Sequence, residues 1–117
     1  VIWLFVLLLA LIAGVLIGLV SQISIPAVLL SYLGVAILAA LDSCLGGVRA
    51  ALERTFSDRI FVFGFLTNTL MAAFIVYIGE RIGVRELYLA AVVAFGVRLF
   101  NNLGAVRRLL IDRPGAE

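Results

Sequence analysis

The chain contains no histidine and no lysine, and only one cysteine among its 117 residues. Without the imidazole or amine that ordinarily activates a nucleophile, neither Ser43 nor Cys44 has a candidate base. A lone cysteine cannot close an intramolecular disulfide, and Cys44 lies in an apolar run, so it says nothing about redox compartment. A metal would have to be held by Asp42, Glu53, Asp58 and Cys44 alone, which have no recognised ligand spacing. The expectation is a non-enzymatic protein with no catalytic residue, no metal site and no cofactor. Charge is also scarce, at 14% of residues, and the net value of +2 comes entirely from arginine on the basic side. The arginines flank apolar runs instead of forming a basic face with interleaved aromatics, which argues against a nucleic-acid partner.

What is abundant is apolar surface. The hydrophobic fraction is 65%, against the ~45–50% usual in soluble domains. Spans of roughly 20 residues leave room for about four membrane crossings. The predicted architecture is all-α, a polytopic transmembrane helical bundle forming one membrane domain over 1–117. Its expected spans are 1–20, 27–46, 60–79 and 87–106; three spans plus a short or re-entrant segment is the alternative.

The first span carries no charge, with Trp3 near one end where interfacial indoles are common. A signal peptide would have a shorter apolar region of ~7–15 residues, a basic start and a small-residue cleavage site, and neither flank is present here. The linker from Ser21 to Pro26 ends in a proline suited to a helix start. In the second span, Gly46 and Gly47 cost a helix roughly 2 kcal/mol relative to alanines. A bend or break is expected there, followed by a short amphipathic piece from Val48 to Phe56 near the headgroups. Ser57-Asp58-Arg59 reads as a turn with a helix cap, and the tail at 113–117 as disordered.

Arginine asymmetry between the two sets of loops sets orientation. Arg49, Arg54, Arg59, Arg107, Arg108 and Arg113 fall on one side, and only Arg81 and Arg85, each beside a glutamate, on the other. Both termini are expected to be cytoplasmic.

Intramembrane charges are expensive, at least ~2.5–3.5 kcal/mol each on insertion scales. At ~1.5 Å per residue, Asp42 lies roughly 5 Å from the cytoplasmic end of its span, Asn68 and Arg98 about 12 Å, and Asn101 and Asn102 about 6–8 Å. These residues of three helices thus share the inner half of the bilayer. Three readings of Asp42 and Arg98 are open: a working polar site, an ion pair that fixes helix register, or snorkelling of Arg98 to the surface.

On the fourth span Ala91, Ala94, Arg98, Asn101, Asn102 and Ala105 share a small, polar face, opposite Leu89, Val92, Leu99, Phe100 and Leu103. Gly14 and Gly18 have G-x-x-x-G spacing, and with Gly46, Gly47, Gly64 and Gly96 they are candidates for close helix approach. Arg49 and Glu53, one turn apart, form a charged stripe leaving the membrane on the cytoplasmic side.

The segments Leu41-Asp42-Ser43 with Gly46 to Ala50, Gly64-Phe65 with Asn68, and Leu87 to Arg98 with Asn101 together resemble the bacterial small basic protein family. The resemblance runs from the first span to Arg108, although Glu80 stands where aspartate is more usual and the Arg85-Glu86 loop differs slightly. It implies a bacterial inner-membrane protein often encoded among cell-division and envelope genes, with a membrane partner in that machinery. It implies no catalytic or transport activity. The expected function is a non-enzymatic scaffold or accessory subunit whose partners are the lipid bilayer and other membrane proteins or further copies of itself. The alternative is a small transporter or channel subunit using the Asp42/Arg98 cluster.

Overall fold

A computed structural model describes residues 1–112; Arg113 and the expected tail at 113–117 lie outside the described residues. The chain forms α1 (Ile2–Val20), α2 (Ala27–Leu52), α3 (Asp58–Ile82) and α4 (Leu87–Ile111), with no strand among the described residues. All four are long and apolar enough to cross a membrane, the architecture of a multi-pass membrane protein. The three later helices outrun the predicted spans. Hydropathy marks where apolar side chains stop, whereas backbone hydrogen bonding carries a helix on into polar surroundings.

α2 runs unbroken through Gly46 and Gly47, so the expected break and the separate amphipathic piece do not exist. Packing explains the difference. A Cβ on Gly47 would lie 2.9 Å from Leu4 Cδ1 and 2.9 Å from Phe61 Cε1, so the missing side chain is what lets α1 and α3 close onto α2. α2 stops instead at Arg54, a non-glycine residue in the left-handed region at φ 60°. Thr55 N–H donates to Ala50 O at 2.9 Å and Arg54 N–H to Ala51 O at 3.1 Å, the two bonds of a Schellman ending. Ser57 then caps α3 by accepting from Ile60 N–H at 3.4 Å. α3 ends the same way on Gly83 at φ 82°, with Val84 N–H donating to Gly79 O at 2.8 Å.

α2, α3 and α4 pack around Val35, Ala39, Ala72, Val76, Ala91 and Phe95. Alanine, not glycine, provides the close approach at this core. The buried face of α4 is Ala91, Phe95 and Val106, with Val92 and Asn102 partly covered, while Ala94 and Asn101 are exposed. The inward face of α4 is therefore rotated from the predicted small and polar one: Phe95 replaces Ala94 inside, because α2 offers alanines that leave space for a ring.

α1 sits apart. Its only buried residue is Leu4, beside Gly47, and everything from Ile12 to Val20 is exposed. The start of α1, the α2–α3 turn and the end of α4 lie together with Arg49, Arg54, Arg59, Arg107 and Arg108, forming an arginine-rich end.

Candidate functional site

Asp42 projects from α2 into the packing against α4, and its side chain is 0% exposed. A carboxylate taken out of water needs partners to offset its desolvation. Two come from α4, one turn apart. Arg98 Nη2 lies 3.2 Å from Asp42 Oδ2, and Asn102 Nδ2 donates to Oδ1 at 3.0 Å. Asn102 Oδ1 in turn accepts from Arg49 Nη1 at 3.4 Å, and Arg49 Nε lies 3.6 Å from Glu53 Oε2. A carboxylate on one side and a guanidinium on the other fix which way the Asn102 amide points, since only one assignment serves both.

The result is a polar chain, Asp42 to Asn102 to Arg49 to Glu53, in which the neutral Asn102 amide links carboxylate to guanidinium as it crosses from α2 to α4 and back. It runs from the interior to the arginine-rich end. Arg98 is the asymmetric member. It holds a fully enclosed carboxylate, yet its own side chain is 55% exposed, with its guanidinium carbon 6.0 Å from the Phe95 ring centroid. At about 1.5 Å per residue it lies roughly 13 Å along α4 from Arg107.

Beside this polar chain is an open cavity of about 230 Å³ between α2, α3 and α4. Asp42, Ser43, Asn68, Arg98 and Asn102 line it together with Phe61 and Phe65, and the lining extends to Thr55 and Ser57 at the α2–α3 turn. Ser43 is 9% exposed and its hydroxyl has no hydrogen-bond partner.

Asp42, Arg98, Asn102, Arg49 and Glu53 thus form one linked set, and Asn68 faces the same cavity. Asn101 is exposed and takes no part. Of the glycines singled out for packing, Gly47 is tightly enclosed and a Cβ on Gly46 would make ordinary contact with Asn102 Nδ2 at 3.5 Å. Gly14, Gly18, Gly64 and Gly96 have nothing within 4 Å of a Cβ position, so within one chain they do not mediate close approach. The sequence reading missed Gly79, where a Cβ would lie 2.7 Å from Val84 O. It also considered Ser43 only as a nucleophile. No group of three or more metal-ligating side chains occurs among the described residues.

A family model described as "Protein of unknown function (DUF1290)" matches residues 25–111. The chain is also 44% identical over 105 residues to the "Small basic protein" of Bacillus subtilis, covering 90% of this chain and 86% of that one. The chain belongs to the small basic protein family. A second member, an uncharacterized protein of Mycobacterium tuberculosis strain H37Rv, is 46% identical over 102 residues, covering 86% of this chain and 84% of that one. The family match begins at the end of the α1–α2 linker, so α2, α3 and α4, and with them the whole polar site, lie within it. No solved structure matches the chain.

Proposed function

We propose that this chain is a non-enzymatic accessory subunit that associates laterally with another membrane protein or a further copy of itself, using α1 as its docking helix. The observation that carries this reading is the free outer half of α1, where Gly14 and Gly18 have open space at their Cβ positions. Each glycine in a helix interior costs about 1 kcal/mol relative to alanine. Neither recovers that cost inside the chain, whereas a helix from another molecule packed across the pair would recover it by close backbone contact.

The lack of histidine and lysine supports a non-enzymatic role. Arginine asymmetry supports cytoplasmic termini, and kinship with a bacterial protein supports a bacterial inner-membrane location. The resemblance implies genes placed among those for cell division and the envelope, which makes that machinery the first place to seek a partner.

Affinity purification of the full chain in mild detergent, with quantification of co-purifying membrane proteins and of its own oligomers, tests the proposal. Gly18→Leu should abolish the association while leaving folded yield intact, because nothing within the chain touches that position. Unchanged association would refute it. The transporter reading draws support from the half-exposed Arg98 in an open cavity, and specific ion flux in liposomes, lost on Asn68→Leu, would favour it instead.

A further inference from the structure

Arg98 presents a chemical demand that the chain itself does not meet. Its guanidinium has five donors, and its one ionic contact, to Asp42, leaves most of them without a protein partner on a side chain that lines the cavity and is 55% exposed. In a bilayer such donors need an acceptor, because hydrocarbon supplies none. Two further groups on the cavity lining are in the same condition. The Ser43 hydroxyl is nine-tenths buried and unpartnered, and the Asn68 amide takes part in no hydrogen bond among the described residues. Asp42 also lines the cavity, but its carboxylate is enclosed and engaged by Arg98 and Asn102, so the charged group left open to an occupant is the Arg98 guanidinium.

Size narrows the occupant. About 230 Å³ holds roughly eight waters at ~30 Å³ each, and falls short of the ~300–1,000 Å³ typical of sites for drug-sized ligands. The space suits one compact oxyanion, and guanidinium with amide and hydroxyl donors is the set that phosphate takes. The lining reaches Thr55 and Ser57 at the arginine-rich end, and Phe61 and Phe65 supply apolar surface for whatever is attached. We infer that this cavity seats a phosphate group, with Arg98, Asn68 and Ser43 as its donors. The group is either the phosphodiester of a lipid headgroup from the adjoining leaflet or free phosphate. The inference is independent of α1, which contributes nothing to the cavity lining.

The test is native mass spectrometry of the full chain in phosphate-free detergent, supplied with phosphatidylglycerol or with diacylglycerol of the same acyl chains. Phosphatidylglycerol should be retained about tenfold better, the worth of one charge-assisted hydrogen bond or more. Asn68→Leu should cut that preference by about threefold, and Ser43→Ala by less, while Arg108→Gln should leave it unchanged. These variants keep the Asp42–Arg98 pair, so the outcome does not depend on whether Arg98 variants fold. Displacement of the lipid by added inorganic phosphate assigns the site to the free anion, and persistence assigns it to the headgroup. Equal retention of diacylglycerol, or a preference untouched by both Asn68→Leu and Ser43→Ala, would overturn the inference.

Discussion

Arg98→Gln and Asp42→Asn, made singly and together, should destabilise the chain unequally. Asp42 is 0% exposed and Arg98 is 55% exposed, so the two deletions strand very different charges. Losing Arg98 leaves a carboxylate enclosed with Asn102 as its remaining partner. That is the situation in which breaking a buried pair costs about 3–5 kcal/mol. Losing Asp42 leaves a guanidinium that already faces the cavity and can turn further towards the arginine-rich end. A cost of about 1–2 kcal/mol follows, between the surface and buried limits. The double variant has no orphan charge and should fall short of the sum by about 1–3 kcal/mol. Reversible unfolding in mixed micelles, titrated with a denaturing detergent, measures all three against the parent. Additivity within about 0.5 kcal/mol would show that the two side chains are not coupled. A larger loss from Asp42→Asn than from Arg98→Gln would refute the assignment of the enclosed partner.

The neighbouring asparagines should separate in the same assay: Asn102→Leu strips a donor from Asp42 and an acceptor from Arg49 and should cost about 1–3 kcal/mol, while exposed Asn101→Leu should stay within about 0.5. The adjacent glycines should diverge too, with Gly47→Ala destabilising by about 1–3 kcal/mol through overlap with Leu4 and Phe61 and Gly46→Ala gaining roughly 0.5–1; equal effects would contradict the packing at Gly47. Arg54→Gly should stabilise by about 1 kcal/mol by relieving a left-handed non-glycine residue, visible as a rise in the unfolding midpoint. For orientation, Ser24→Cys in a Cys44→Ser background should react with an impermeant maleimide on intact cells; labelling only after the cells are opened would reverse the topology.

Hydropathy alone located four helices, since a bilayer imposes one length and one polarity on every crossing. It also placed Asp42, Arg98 and Asn102 at compatible depths, because depth follows from counting along each helix. Rotation about the helix axis is a different quantity. Which side of α4 faces inward depends on the alanines of α2 and α3, so Phe95 rather than Ala94 turns inward and Asn101 drops out of the site while Asn102 stays. The glycines divide on the same ground. Gly47 matters because Leu4 and Phe61 happen to meet there, and Gly14 is open because α1 leaves the bundle. Neither fact is local to its own segment. The continuity of α2 belongs with these, since helix propensity disfavours Gly46-Gly47 and tertiary contact overrides that preference.

The bond between Asn102 and Asp42 spans 60 positions of the chain, and this separation has a consequence for biogenesis. At ~5–20 residues per second of synthesis, α2 waits roughly 3–12 s before the donors from α4 emerge. Throughout that interval the growing chain carries a carboxylate with neither of its α4 partners. α4 is therefore the helix that completes the polar centre, and a nascent chain truncated before Arg98 would expose its fault to membrane quality control at Asp42.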